Sequence, residues 1–181
     1  IFFFLVRING EYTGWCSQSS FFRKTTNSGA SWFVAAAQYA DQIFFVNKDT
    51  GWVCNGLLYK TINGGINWIN QPMPTDASIV SNAIFKFTYA GNNILYGAGG
   101  IRVVYGVQVR GIIWKTTNGG LNWGYQQPDT IINVFQYDAI YFIDTLIGWS
   151  ANASGNRLIH TTNGGGPIIY TAVNQISTNV P

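Results

Sequence analysis

The chain has 181 residues and a net charge of +3, with ten basic and seven acidic residues scattered without a run of either sign. Nucleic-acid binding needs clustered Lys and Arg to neutralise phosphates, so this balance argues against it. No stretch approaches the roughly 20 apolar residues that cross a bilayer. One His, and two Cys without metal-ligand spacing, predict neither a metal site nor a cofactor.

Charged residues make up only 9% of the chain, against roughly 25% in typical soluble domains. Polarity is carried instead by Asn, Thr, Ser, Gln and Gly. Such a surface provides little electrostatic repulsion between copies of the chain. We therefore expect it to self-associate more readily than an average domain.

Four units of similar pattern follow one another along the chain. Each unit opens with a short apolar and aromatic run, at residues 2–8, 43–46, 84–87 and 140–143. A polar turn leads to a second strand, which begins with Gly-Trp in three units and with Leu95-Tyr96 in the third. A third strand ends in a basic residue and Thr, and a tight turn separates it from a fourth strand. This pattern predicts an antiparallel meander.

The tight turn is an eight-residue phrase that recurs with little change: TTNSGASW at 25–32, TINGGINW at 61–68, TTNGGLNW at 116–123 and a degraded copy at 161–168. A four-stranded unit that recurs every few tens of residues is typical of a β-propeller blade. We predict an all-β propeller domain, or a fragment of a larger propeller, with four four-stranded blades at about 1–37, 38–72, 73–128 and 129–175 and a tail at 176–181.

The phrase resembles the Asp-box of the sialidase-like (BNR) repeat, Ser-x-Asp-x-Gly-x-Thr-Trp, in its Thr-Thr-Asn-Gly-Gly variant. Proteins similar to the photosystem II assembly factor, xyloglucan-active glycoside hydrolases and secreted bacterial surface proteins carry this variant. The resemblance implies the propeller fold. It leaves the activity open, because these proteins share the box while their functions differ.

The box is predicted to be a structural turn. Its Asn side chain can accept hydrogen bonds from backbone N–H groups and can sit at positive φ, its Gly permits unusual backbone angles, and its Trp covers the turn. The fourth box has Pro167 near the position of the Trp, and Pro cannot donate to a ladder, so we expect an edge there. The box residues are Asn27, Gly29, Trp32, Asn63, Gly65, Trp68, Asn118, Gly120, Trp123, Asn163 and Gly165.

The third unit contains an insertion at residues 101–110 that the other units lack. It alternates like a hairpin around Gly106, with Arg102 and Arg110 at its ends and Tyr105 near its tip. Function tends to be grafted onto an insertion in a single repeat. We predict a binding site at these three side chains; the alternative is a hairpin that merely extends the blade.

Four carboxylates, Asp41, Asp76, Asp129 and Asp138, fall in the links between units. Paired carboxylates can serve glycoside hydrolysis or hold Ca²⁺, although a loop Asp more often forms a turn. A sialidase site, as the resemblance would imply it, needs a Glu beside its Tyr nucleophile. The only Glu, Glu11, is predicted in a turn on the opposite face, so we predict that the chain is not an enzyme, with a glycosidase as the alternative.

A basic residue precedes the Thr of every box: Lys24, Lys60, Lys115 and His160. The set is either a basic ring for an anionic partner, as the resemblance to the photosystem assembly factor suggests, or a set of aliphatic stems that cover aromatic residues. We favour the second interpretation.

Cys16 and Cys54 fall on equivalent strands with opposite parity, which would point both into the gap between two blades. A disulfide and two buried thiols are the alternatives, and neither needs a function.

The function that we predict is that of a non-catalytic structural or binding module, secreted or on the cell surface, that self-assembles through unpaired edge strands. The predicted edges are residues 2–8 and the tail after Tyr170. The expected partners are proteins or copies of the chain, with a glycan as a further candidate. The alternatives are a polysaccharide-acting glycoside hydrolase-like enzyme and a periplasmic or lumenal assembly factor.

Overall fold

The computed structural model describes residues 2–8, 11–18, 21–36, 40–106, 108–129, 134–152 and 157–170. Every regular element in these ranges is a β-strand. The same ranges contain no helix with the length and hydropathy of a membrane span. The all-β prediction is therefore confirmed.

The first two sheets are antiparallel meanders whose strands pair in chain order. The first consists of β1 (Phe2–Ile8), β2 (Glu11–Gln18), β3 (Phe21–Thr25) and β4 (Phe33–Ala36). The second consists of β5 (Gln42–Phe45), β6 (Gly51–Cys54), β7 (Leu58–Thr61) and β8 (Ile69–Gln71). Both have the four strands that the repeat predicts.

The third sheet has one strand more, and the described part of the fourth has one fewer. The third consists of β9 (Ile79–Ser81), β10 (Lys86–Gly91), β11 (Ile94–Val104), β12 (Gln108–Thr116) and β13 (Gly124–Gln126), with β9 on the far half of β11. The fourth consists of β14 (Ala139–Phe142), β15 (Gly148–Asn152) and β16 (Arg157–Thr161).

The first strand of the third unit lies later than the sequence predicts. It spans Lys86–Gly91 rather than 84–87. The reason is the hairpin turn at Asn92 and Asn93, whose φ angles of 51° and 60° reverse the chain and set how far the strand runs. Ile84 instead forms an isolated bridge with Gly56 of the second sheet.

The chain after the fourth box leaves its own sheet. The backbone N–H of Tyr125 donates to the carbonyl of Ile169 at 3.0 Å, and the N–H of Ile169 donates back at 2.8 Å. This bridge adds Ile169 to the edge of β13. Gly124 permits the approach, because any side chain there would collide with Ile168. The predicted fourth strand of the last unit is therefore absent from the described part of its sheet, and the predicted tail edge lies outside the described residues.

The sheets are arranged as blades, and we number the blades by their sheets. The first strands β1, β5, β10 and β14 lie beside one another in chain order, whereas the described parts of β14 and β1 share no contact of comparable extent. A separate apolar cluster fills each gap between neighbouring blades. Representative members are Trp15 and Phe45 in the first gap, Trp52 and Trp123 in the second, and Tyr96 and Phe142 in the third.

Candidate functional site

The box turn is held by three side-chain hydrogen bonds, shown here for the second blade. The Oγ1 of Thr61 accepts from the N–H of Gly65 at 2.9 Å and donates to the Oδ1 of Asn63 at 3.0 Å. That Oδ1 also accepts from the N–H of Asn67 at 2.9 Å. The same bonds recur in the first and third boxes, and the fourth retains the two made by Thr161.

The prediction of positive φ at the box Asn is wrong. The left-handed positions are the two residues that follow it, such as Gly64 and Gly65 with φ of 69° and 91°. The Asn keeps an ordinary backbone because its side chain spans the turn as an acceptor, so the reversal falls to the next two residues. In the first box this places Ser28 at φ 58°.

The box Trp reaches beyond its own turn into the preceding blade. The ring of Trp68 meets Phe22 of the first blade edge-on at a centroid distance of 5.2 Å and Phe45 of its own blade at 6.0 Å. Trp123 is 2% exposed in the cluster that contains Leu58 of the second blade. The Trp therefore fills a slot between two blades, which the sequence pattern did not reveal.

The lysine that precedes each of the first three boxes lies against the turn of the following blade. The Nζ of Lys60 donates to the carbonyl of Gly119 at 2.8 Å, and the Nζ of Lys115 donates to the carbonyl of Gly164 at 2.9 Å. In the first blade, the indole N–H of Trp15 donates to the carbonyl of Gly64 at 3.0 Å. One box carbonyl thus accepts a hydrogen bond from the preceding blade at each of the three gaps.

The lysine ammonium groups also lie over aromatic rings of their own blades. Their distances to the ring centroids are 5.4 Å for Lys24 over Trp15, 5.3 Å for Lys60 over Trp52 and 4.8 Å for Lys115 over Tyr96. Burial lowers the pKa of all three lysines. The ammonium groups contribute to the packing between blades, in addition to the aliphatic stems, which we expected to do so. Because they are engaged in these contacts, their placement does not favour the basic-ring alternative.

The fourth blade exposes the face that the other three bury. His160 stacks on Trp149 of its own blade at 4.9 Å. Leu158 is 64% exposed, whereas the residues at the same register position in the first three blades are at most 5% exposed. These residues are Phe22, Leu58 and Ile113. We call the surface formed by Trp149, Leu158 and His160 the blade-four face.

The first blade exposes the complementary side of the interface. Ser28 of its box is exposed, whereas Gly64, Gly119 and Gly164 at the same position are buried beneath the preceding blade. Trp32 is partly exposed. We call the surface formed by the box turn at residues 28–32 the blade-one face.

The insertion in the third blade is a hairpin that prolongs β11 and β12, with Arg102 opposite Arg110. Arg102 donates to the Oε1 of Gln127 at 3.0 Å, and Arg110 is only 7% exposed. Tyr105 is 81% exposed at the tip, with φ 53°. Both arginines are engaged within the blade, and binding at this hairpin stays a prediction that concerns Tyr105 foremost.

Among the link carboxylates, Asp76 acts as a local turn former. The Oδ1 of Asp76 accepts from the N–H and hydroxyl of Ser78 and from the N–H of Ile79, and the side-chain hydrogen bond from Ser78 foremost lowers the pKa of Asp76. Asp41 and Asp138 precede β5 and β14; the N–H of Asp41 donates to the carbonyl of Cys54 in β6, and the N–H of Asp138 donates to the carbonyl of Ala151 in β15. The described residues include no group of three His, Cys, Asp or Glu that could hold a metal ion.

The two cysteines are free thiols, and both are buried. The Sγ of Cys54 donates to the carbonyl of Phe85 at 3.1 Å. Burial raises the pKa of Cys54 to about 12 and also raises the pKa of Cys16. Of the two alternatives, the buried thiols are the one observed.

A cavity of about 470 Å³ lies between the third and fourth blades. Ile113 of the third blade lines one side, and Ile140, Phe142 and Ile159 of the fourth line the other. The box glycine Gly165 lies at its rim. The volume falls within the roughly 300–1,000 Å³ of typical ligand sites.

The chain matches no protein-family model and no curated protein sequence. It is similar to solved propeller structures. An ancestral GH74 enzyme superposes with a TM-score of 0.61 at 19% identity, over 84% of this chain and 21% of that chain. YCF48 bound to a D1 peptide superposes with a TM-score of 0.48 at 16% identity, over 82% of this chain and 50% of that chain. YCF48 from Cyanidioschyzon merolae superposes with a TM-score of 0.41 at 15% identity, over 88% of this chain and 69% of that chain.

The likeness to the GH74 enzyme, together with the four sheets, defines the chain as an all-β propeller protein. At such low identity they show the fold alone. The chain spans about a fifth of the length of the GH74 enzyme and half the length of the peptide-bound YCF48.

Proposed function

We propose that the chain is a non-catalytic structural and binding module whose copies associate head to tail. The blade-one face of one copy docks on the blade-four face of the next. The observation that carries this proposal is the 64% exposure of Leu158, at a position where the other three blades are sealed.

The two faces have the chemistry of the interfaces inside the chain. At each internal gap, an aromatic or lysine side chain of the earlier blade donates a hydrogen bond to a carbonyl in the box turn of the later one. The blade-four face offers Trp149 and His160 for this purpose, and the blade-one face offers the turn around Ser28. Two different surfaces that meet in this way form a heterologous contact, which gives either a closed ring or an open filament.

The low charge of the surface favours the same association, because little repulsion opposes it. Association through edge strands, which the sequence predicts, receives less support than association through the blade-one and blade-four faces. A location outside the cytoplasm belongs to the proposal and rests on the resemblance to secreted proteins. The glycosidase stays the alternative, and Asp76 gives it no support because its carboxylate is directed at its own turn.

The test is the mass of the protein in solution, measured by sedimentation velocity at rising concentration. We expect the wild-type chain to form dimers or longer species and Leu158→Asp to be monomeric. Leu121→Asp is the matched control, because Leu121 is 79% exposed in the third box, away from both faces. This control should associate like the wild type.

A mixture of wild type and Leu158→Asp tests the head-to-tail geometry. The variant keeps its blade-one face, so it should cap wild-type chains and shorten the assemblies in proportion to its amount. A wild-type chain that stays monomeric at tens of micromolar, or an equal loss of association in Leu121→Asp, would overturn the proposal.

A further inference from the structure

We propose that Asn163, in the box of the fourth blade, is a site of spontaneous deamidation in the folded protein. The product is an aspartate or an isoaspartate at this position, and it gives the box a negative charge. The equivalent asparagines of the second and third boxes, Asn63 and Asn118, are protected by the fold. This proposal concerns a covalent modification of the chain and does not depend on the head-to-tail association.

An asparagine that is followed by glycine can lose its side-chain amide without an enzyme. The backbone nitrogen of the glycine gives up its proton and attacks Cγ of the asparagine. A bond forms between this nitrogen and Cγ, the bond between Cγ and Nδ2 breaks, and ammonia leaves with the proton. Water then opens the resulting succinimide at either of its two carbonyls, which gives aspartate or isoaspartate. Glycine favours the attack because it has no Cβ to obstruct the approach.

Three boxes contain this dipeptide, and each continues with a second glycine. The dipeptides are Asn63-Gly64, Asn118-Gly119 and Asn163-Gly164. The third and fourth boxes even share the five residues Thr-Thr-Asn-Gly-Gly. The two asparagines should therefore react at the same rate in an unfolded chain, and a difference between them in the folded protein must come from the structure.

The carboxamide of the asparagine is fixed in the second and third boxes. Its Oδ1 accepts a hydrogen bond at 2.9 Å from the N–H of the residue four positions further on, which is Asn67 or Asn122. It also accepts from the hydroxyl of the box Thr, Thr61 or Thr116, and both of these threonines are fully buried. A side chain held in this way must give up these bonds before its Cγ can move to the glycine nitrogen.

The fourth box lacks the first of these bonds. The residue four positions after Asn163 is Pro167, which has no N–H to donate. The Oδ1 of Asn163 instead accepts from the N–H of Gly165 at 3.2 Å, and this N–H also donates to the Oγ1 of Thr161 at 2.8 Å. Asn163 is exposed, whereas its equivalents in the second and third boxes are half-buried. The carboxamide of Asn163 is therefore the least restrained of the three.

The nucleophilic nitrogen is hydrogen-bonded in all three boxes. The N–H groups of Gly64, Gly119 and Gly164 donate to carbonyls in the first hairpin turn of their own blades at 2.8, 2.8 and 2.7 Å. This bond must open before the attack, so the folded protein should react more slowly than the unfolded chain at every box. Lys115 and Gln126 also hold the carbonyl of Gly164, and these bonds restrain the backbone rather than the carboxamide of the preceding residue.

The modification places a charge where the fourth box meets the third blade. The carbonyl of the next residue, Gly164, accepts a hydrogen bond from the ammonium group of Lys115 at 2.9 Å. An aspartate at position 163 keeps the acceptor oxygen and adds attraction to this ammonium group. An isoaspartate adds an atom to the backbone and so displaces the carbonyl from Lys115. Either product lowers the net charge of +3 by one unit, which separates it from the unmodified protein on a cation-exchange column.

Tryptic peptide mapping by mass spectrometry measures the three sites separately, because they lie in different tryptic peptides, which begin after Lys60, Lys115 and Arg157. The folded protein is incubated in a mildly alkaline buffer and sampled over time. We expect Asn163 to deamidate about fivefold or more faster than Asn118, the factor that one hydrogen bond typically contributes. The same incubation in concentrated urea should make the two rates equal.

Two variants assign the difference to the missing hydrogen bond. Pro167→Ala restores an N–H four positions after Asn163 and should slow deamidation there to within about twofold of the rate at Asn118. Pro128→Ala is the matched control, because it replaces a proline outside the boxes. It should leave the rate at Asn163 unchanged.

Three results would overturn the proposal. They are equal rates at Asn163 and Asn118 in the folded protein, an undiminished rate at Asn163 in Pro167→Ala, and a difference between the two sites that persists in urea. The measurement is repeated on Leu158→Asp, which is monomeric under the proposed function. This variant should deamidate at Asn163 at the wild-type rate whether or not the wild type associates, so the two proposals can fail independently.

Discussion

The ammonium group of Lys60 in the second blade donates a 2.8 Å hydrogen bond to the carbonyl of Gly119 in the box of the third. The lysine that precedes one box therefore stabilises the next box, and Lys115 does the same for Gly164. The box is a joint between blades as well as a turn within one.

Replacing Lys60 by Met removes this bond and the contact with Trp52 while it keeps most of the aliphatic stem. A hydrogen bond from a charged donor contributes about 1.5–3 kcal/mol, and part of this is offset because the half-buried ammonium no longer has to be desolvated. We expect Lys60→Met to lower the free energy of unfolding by about 1–2 kcal/mol in urea titrations. Lys48→Met is the control: it removes only an exposed ion pair with Asp49, worth at most about 1 kcal/mol. An equal effect of the two variants on the free energy of unfolding would contradict the stabilising role of the bond between Lys60 and the third box.

Two adjacent threonines in the third box allow the effect of the turn's hydrogen bond on stability to be measured separately from the effect of replacing a Thr. Thr116 is fully buried and accepts from the N–H of Gly120 at 3.1 Å, whereas Thr117 is exposed. Thr116→Val leaves a buried N–H without this acceptor, which costs about 1–3 kcal/mol. Thr117→Val should change the free energy of unfolding by less than about 0.5 kcal/mol. Equal midpoints for both variants in urea would show that the threonine bond does not hold the turn.

Gly65 and Gly106 have similar positive φ angles, 91° and 73°, but different surroundings. A Cβ at 106 meets nothing within 4 Å, whereas one at 65 would lie 2.7 Å from the ring of Phe22. Gly106→Ala should cost about 1–2 kcal/mol from backbone strain alone. Gly65→Ala adds the clash and should cost at least about 1–3 kcal/mol more. Thermal unfolding of the two variants measures the difference, and equal melting temperatures would refute it.

Cys54 predicts a loss of stability at alkaline pH. Burial raises the pKa of this thiol in the folded chain to about 12, from an ordinary 9.0. Above pH 9 the unfolded chain therefore loses the proton first, which favours unfolding by up to about 1.4 kcal/mol per pH unit until the folded pKa is reached. Cys54→Ala should show a shallower decline between pH 9 and 11 in urea titrations, although it is less stable at pH 7. Parallel pH profiles would contradict this assignment.

The repeated phrase predicted most of the fold, because the box, the Gly-Trp pair and the alternating strands are local signals. The start of β10 was placed too early, since the turn at Asn92 and Asn93 decides where that strand ends. The pairing of Ile169 with Tyr125 joins residues far apart in the sequence, and periodicity carries no information about it. A signal was present, however: the third unit has Gly124 where the first and second have Phe33 and Ile69.

The candidate sites were less predictable than the fold. Arg102 and Arg110 looked available because they flank an insertion, but Gln127 and the adjacent strands engage them. The blade-four face could not be found from residue types, since Leu158 is as apolar as its buried equivalents. Only the placement of the blades shows which of the four equivalent apolar positions is exposed.

In the described residues, the box carbonyls of the second, third and fourth blades accept hydrogen bonds from donors that lie earlier in the chain. During synthesis, a blade that has already left the ribosome cannot form the hydrogen bond of its own lysine or tryptophan until the box turn of the next blade has been synthesised. The growing chain therefore always carries one unfinished surface at its newest end. A nascent chain of this design would be most exposed to chaperones and to mispairing during that delay, one blade at a time.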